Sequence, residues 1–272
     1  MKRLLQHDAV LVTVHATRGS VPRAQGTWMA LLPDGQIGSI GGGRLEFDAL
    51  AQARRLLLGE TVAALQDFAL GPSLGQCCGG ALQLRFERVG RDDLPALRQR
   101  VQQALQPVAL FGGGHVGRAL VPILCTLPMA ITWIDSRGEV FPPDLPSQVQ
   151  REHSDPVHAA VADLHAGSHV LIMSFSHAED LDIVAACLLR QRRSADLGYL
   201  GLIGSRSKWA SFQSRLRARG FAASELARIT CPIGVPGIRD KSPAAIAIAV
   251  AAQLLQLPAA SVGQGPAAAA LS

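Results

Sequence analysis

The run VALFGGGHVGRAL, residues Val108–Leu120, decides the fold. Val108 to Phe111 has the length and apolar content of a buried strand, and three glycines follow at once. A helical pattern then starts at His115, so Gly112, Gly114 and Gly117 satisfy G-x-G-x-x-G between a strand and a helix. Such glycines allow a tight turn, a close backbone approach to a phosphate, and helix–strand contact, while the free amides of the helix start face an anion. Asp135 lies 23 residues after Gly112, where an acidic residue would meet a ribose hydroxyl, and Arg137 follows it. His115 and Val116, at the helix start, are candidate ligand contacts. The stretch points to a nucleotide-like or phosphate-bearing ligand, the other reading being glycines kept for packing alone. NAD(P) is one ligand that would suit it.

Outward from this run the chain keeps one rhythm. AITWID, HVLIMSF, YLGLIGS and RITCPIG are strand-to-loop units, and DLDIVAACLLRQRR is a helix between them. KSPAAIAIAVAAQLLQL is a helix capped by Ser242 with Pro243 in its first turn. Strands alternating with helices at this spacing predict an α/β, Rossmann-like, doubly wound parallel sheet over residues 107–258. Residues 259–272, rich in Ala and Gly, are expected to be a disordered tail.

Before it, residues 1–90 read as a small α+β domain. DAVLVTVHA is a strand, TWMALLPDGQIGSI is two strands around a Pro33-Asp34-Gly35 turn, and ALQLRFERV alternates like a half-buried strand. EFDALAQARRLLLGE has helical apolar spacing ending at Gly59. Residues 91–106 predict a connecting helix, with Asp92 or Asp93 as cap and Pro107 as its stop.

Composition narrows the function classes. Hydrophobic content of 48% with 17% charged residues describes a well-packed globular chain, and no apolar run reaches the roughly 18 residues of a membrane span. The opening MKRLLQHDAVLVTVHA reads as a first strand rather than a signal peptide, so the cytoplasm is expected. Net charge is +5 and the cations are almost all arginine. RQRR and RLRAR lie on helical patterns without interleaved aromatics, which suits solvated faces rather than a nucleic-acid footprint. An arginine excess still suits an anionic ligand or an acidic partner. Five cysteines in no paired framework argue against structural disulfides.

Further motifs carry candidate chemistry. YLGLIGSRSK brings Gly204, Ser205, Arg206 and Lys208 to the end of a strand, either around an anionic group or as an ordinary loop with exposed charges. SFSHAED places His177 and Asp180 on one helical face, and Cys231 sits at another strand end. TRGSVPRAQG presents Arg23 from a constrained loop. GSIGGGRLEFDAL sets Gly42 and Gly43 at a helix start, where close approach by a ligand or plain turn chemistry would each explain the glycines. GQCCGG holds adjacent thiols, Cys77 and Cys78, in a glycine-bounded loop. They could bind a soft metal or carry sulfur, or be two small buried side chains. No H-x-x-H or C-x-x-C pair is present to suggest an ordinary zinc site.

GSVPRAQG, GSIGGG, GQCCGG, FGGGHVGRAL, YLGLIGSRSK and CPIGVPGI…SPAAIAIAVAAQLL, in this order, resemble the xanthine dehydrogenase accessory protein family (XdhC/CoxI-like) over nearly the whole chain. The resemblance implies an accessory factor rather than an enzyme, binding molybdenum cofactor in its molybdopterin form. It implies partners too: a cysteine desulfurase that exchanges an oxo ligand for a sulfido, and an apo molybdenum hydroxylase that receives the cofactor. No nucleic acid or membrane partner is implied, and a homodimer is the expected assembly. The pterin phosphate would sit at Gly112–Gly117 near Arg206 or Lys208, and the molybdenum end near Cys77 and Cys78 across the domain interface. Two positions depart from the family: Phe175 stands where a second histidine is usual, and Ala244-Ala245 replace an acidic residue. The alternative is an NAD(P)-dependent oxidoreductase using the same glycine fingerprint, although no catalytic constellation stands out beyond His115 and His177.

Overall fold

In a computed structural model, which describes residues 7–70, 79–103 and 105–257, the chain divides into two compact units, Met1–Arg100 and Val101–Ser272. The first is built on a five-stranded antiparallel sheet. Its strands are β1 (Ala9–Arg18), β2 (Trp28–Leu32), β3 (Gly35–Gly38), β4 (Leu65–Ala69) and β5 (Ala81–Val89), in the order β3-β2-β1-β5-β4. Leu32 pairs with Gly35, so Pro33-Asp34 closes the hairpin as the sequence predicts. Helix α1 (Gly43–Leu57) lays Leu45, Ala49 and Ala53 on the apolar face formed by Val10, Val12, Val14, Leu82, Leu84 and Phe86. The four-residue steps of α1 and the alternation of β1 and β5 are the same pattern met from two sides. β4 has no counterpart in the sequence reading. Its residues, LQDFA, lie on an edge with both faces at least partly exposed, so little apolar alternation marks them.

Helix α2 (Leu94–Gln103) follows, shorter than the 91–106 helix expected. Pro107 does not stop it but lies inside the next strand, β6 (Gln106–Phe111). The Gln106 amide turns to the Pro128 carbonyl, so the Pro107 nitrogen faces the opposite side, where pairing begins only at Val108–His169. The missing N–H therefore breaks no ladder bond.

The second unit continues with α3 (His115–Leu124), β7 (Met129–Asp135), β8 (Val149–His153), β9 (His169–Ile172) and α4 (His177–Ser194). After these come β10 (Leu200–Leu202), α5 (Arg206–Ala218), α6 (Ala223–Leu226), β11 (Ile229–Thr230) and α7 (Pro243–Gln256). The strands form a six-stranded parallel sheet in the order β8-β7-β6-β9-β10-β11. The sheet grows outward from β6 to β8, then restarts beside β6 with β9 and grows the other way. Strand order thus reverses between β6 and β9, which makes their carboxyl ends the topological switch point of the sheet. Ala109, Phe111, Val170 and Ile172 pack on the side of α4, while Val108, Leu110, Leu171 and Trp133 pack on the side of α3 and α7. Burial on both faces explains why β6 and β9 read as continuous apolar runs. β8, a polar edge strand, escaped that signal.

Candidate functional site

The glycine loop at the switch point is shaped by backbone contacts. Gly112 has φ of +123°, and a Cβ there would lie on the Met173 carbonyl oxygen at the end of β9. A Cβ on Gly117 would strike the Gly112 carbonyl, and one on Gly113 would strike the Val140 side chain. Gly114 differs: a Cβ there meets nothing within 4 Å among the described residues.

Gly114 is the N-cap of α3 and provides no side-chain bond to it. Ser176, Ser205 and Ser242 cap α4, α5 and α7 by accepting from Glu179 N, Lys208 N and Ala245 N. The first amides of α3, at His115, Val116 and Gly117, have no intrahelical partner by helix geometry and receive no side-chain cap from Gly114. Together with the helix dipole they favour an anion. His115 is exposed there, and Val116 packs against the core on the α3 side of the sheet.

Asp135 ends β7 as the spacing predicts, but its carboxylate is taken up internally. It is only 2% exposed, and its Oδ2 accepts from the Gly113 amide at 2.6 Å. Oδ1 accepts from the Arg137 amide and Nε, both at 2.9 Å, and Oδ2 from Arg137 Nη2 at 3.0 Å. Burial pushes this carboxyl up, and the Arg137 and amide hydrogen bonds outweigh it and hold the group below its ordinary value. Asp135 thus holds the glycine loop and Arg137. Arg118, which the motif does not mark, closes the loop from behind by donating to the carbonyls of Gly113 (3.2 Å) and Val140 (2.8 Å).

Lys208 is likewise committed. Its ammonium donates to Asp180 Oδ2 at 2.6 Å and to the Ile203 carbonyl at 2.9 Å. Asp180, buried at 2% exposure, also accepts from the Ser174 amide and hydroxyl. The pair ties the loop after β9 to the start of α5. Gly204 and Ser205 shape that start, a Cβ on Gly204 falling 2.6 Å from Lys208 Cδ, while Arg206 is exposed. Cys231 lies close by, with Sγ 3.9 Å from the Gly204 carbonyl. Burial lifts its thiol to about 11, opposed by Lys208 and reinforced by Asp180, so it stays protonated at neutral pH. His177 packs edge-on against Phe212, its ring 6.4 Å away.

In the first unit, Gly42 and Gly43 both have positive φ and open α1, yet the anion there is the protein's own. Glu46 Oε2 accepts from Ser39 Oγ (2.6 Å), Ile40 N (3.0 Å) and Gly42 N (3.1 Å), and Oε1 from Gln36 Nε2 (2.8 Å). Burial raises this carboxyl, but these bonds prevail and keep it below its ordinary value. Arg23 is exposed, and its stem and Pro22 border Gly41, where a Cβ would meet Pro22 at 3.0 Å. Gly80 abuts the Arg18 and Ser20 carbonyls, so the glycines after the paired cysteines meet the loop that carries Arg23. Cys77 and Cys78 themselves lie outside the described residues. Among the described residues no group of three or more His, Cys, Asp or Glu could hold a metal ion, and no helix is long and apolar enough to cross a membrane.

A parallel sheet with a glycine loop at its switch point, joined to an antiparallel unit with its own glycine loops, defines a two-unit protein of the dinucleotide-fold class. Residues 108–254 match the XdhC Rossmann domain and residues 5–68 match the XdhC and CoxI family. The chain belongs to the XdhC and CoxI family. A crystal structure from Bacillus halodurans described as a xanthine dehydrogenase shares the fold, with a TM-score of 0.74, 18% identity, and coverage of 94% of this chain and 93% of that one. The protein YqeB of Escherichia coli K12 is 28% identical over 253 residues. That match takes in 89% of this chain but 42% of YqeB, so the chain spans less than half of that relative.

Proposed function

We propose that this protein is a maturation factor for a molybdenum hydroxylase, and that it binds molybdenum cofactor at the carboxyl edge of its parallel sheet. The observation that carries the reading is the uncapped start of α3 at Gly114, in a unit whose other long helices following strands close their own starts with serine. Gly112, Gly113 and Gly117 pack too closely on the protein's own backbone and side chains to admit a Cβ, whereas Gly114 has open space beside it, and an uncapped helix start with such space suits the phosphate of a pterin ligand. Family membership and the name borne by the Bacillus halodurans structure support xanthine dehydrogenase or a relative as the client.

Each residue then has a part. The amides of His115, Val116 and Gly117 donate to the phosphate, and Arg206 adds positive charge at the rim. Asp135 and Arg118 fix the loop, and the Asp180–Lys208 pair fixes the neighbouring one, so the ligand meets a preformed site. Bound there, the cofactor would supply the molybdenum centre that the client needs, and the chain's residues would hold its phosphate end while that centre is completed with a cysteine desulfurase as partner. The role is holding and delivery, without a reaction of its own. The NAD(P) oxidoreductase reading draws less support, because the carboxylate that would bind a ribose is buried and already accepts four hydrogen bonds.

The test is anaerobic gel filtration of the protein mixed with cofactor released from a molybdoenzyme, with NADH as a parallel sample. Molybdenum and pterin fluorescence should travel with the protein. Elution of both in the free fraction would refute the reading.

A further inference from the structure

Phe175 follows β9 at the switch point and is 66% exposed. One exposed phenylalanine is unremarkable on a protein surface. What sets this one apart is how firmly it is held. The Arg137 guanidinium lies 4.2 Å from its ring centroid and covers one face. That guanidinium is itself fixed by the buried Asp135, which is fixed by the Gly113 amide of the phosphate-type loop. On the other side the Phe175 amide donates to Glu179 Oε2 at 3.2 Å, and Glu179 Oε1 accepts from Ser136 Oγ at 2.7 Å. The carboxyl ends of β6, β7 and β9 thus hold one aromatic ring, which carries Arg137 over one face and is still largely exposed.

We propose that Phe175, backed by Arg137, is a stacking platform for the fused planar heterocycle of the bound ligand. An aromatic ring already immobilised loses little freedom when a second ring stacks on it, so the contact contributes nearly its full strength. A pterin and a purine share the required planar face, and the proposal rests on the reading that a pterin-phosphate ligand occupies this switch point. Phe175 places the ring system, and the α3 start takes the phosphate.

The experiment compares wild type, Phe175→Ala and Phe175→Trp, each titrated anaerobically with released molybdenum cofactor and separately with NADH. Stacking contacts of this kind are worth about tenfold in affinity, so Phe175→Ala should weaken cofactor binding about tenfold. Phe175→Trp should stay within about threefold of wild type, with its indole fluorescence quenched by the ligand. Because the side chain is exposed, both variants should unfold at the wild-type temperature. Cofactor binding by Phe175→Ala at wild-type affinity would overturn the platform and leave the cofactor reading standing. NADH binding weakened in Phe175→Ala, with no cofactor binding by wild type, would support the platform with a purine as its ligand and overturn the cofactor reading. Binding of neither ligand by wild type would overturn both.

Discussion

Two runs of three glycines open helices in this chain, Gly41–Gly43 before α1 and Gly112–Gly114 before α3, and they are put to opposite uses. In the first, Glu46 reaches back from the opening turn of the helix and fills the glycine loop with its own carboxylate. In the second, the nearest carboxylate, Asp135, takes the Gly113 amide, and the helix amides beyond Gly114 are left without a side-chain cap. Both loops have the backbone of an anion site. Only the first is filled by a carboxylate from its own helix, and the difference comes from a single acidic residue in the first helical turn.

The comparison breaks most visibly at the glycines themselves. Gly112→Ala forces an L-residue to φ of +123° with its Cβ on a backbone carbonyl, so it should cost about 3–5 kcal/mol and lower the unfolding temperature of that unit by about 10 °C. Gly42→Ala also meets a positive φ, +74°, but has open space around it, and should cost only about 1–2 kcal/mol. Equal losses in calorimetry would show that the two loops are under the same constraint.

The carboxylates come next. Asp135→Asn strands a buried network around Arg137 and should cost about 3 kcal/mol in denaturant titrations, against about 1 kcal/mol for Glu46→Gln at its more exposed position. Both carboxyls are held below their ordinary values in the folded protein. Their stabilisation is therefore full above the ordinary carboxylate range, and it is lost as pH falls through the lowered folded values. The stability gap between wild type and Glu46→Gln should accordingly hold from pH 7 to 5 and close below about pH 4. A gap that widens in acid would contradict the bonding described for Glu46. Gly114→Ala, at a position with ordinary φ and free space, should change stability by less than about 0.5 kcal/mol.

The parallel-sheet class and the glycine loop were legible because their signals are local: an apolar run, three glycines and a helix period lie within Val108–Leu120, whereas the strand order is set by long-range pairing. Asp135 was legible as a position, but its internal hydrogen bonds were not. Spacing places a carboxylate at the end of β7, and says nothing of the arginine two residues on that claims it. Lys208 reads as a cation free for a ligand, yet its partner Asp180 stands 28 residues away in sequence and only the fold brings them together. Arg118 was missed for a related reason: its bonds go to two carbonyls, which no side-chain pattern records. β4 and β8 are short edge strands, β8 mostly polar and β4 partly exposed throughout, so neither alternation nor length announced them.

The two loops also suggest how to turn one into the other. Gly114→Asp would place a carboxylate at the N-cap of α3, where there is room for it, and give that helix the internal anion that Glu46 gives α1. The most direct measurement is the affinity of Gly114→Asp for released molybdenum cofactor, read beside Gly114→Ala by anaerobic titration of pterin fluorescence. The account predicts that Gly114→Ala binds like wild type, while Gly114→Asp is at least as stable to heat and binds at least about tenfold more weakly. Cofactor binding by Gly114→Asp at wild-type affinity would contradict it.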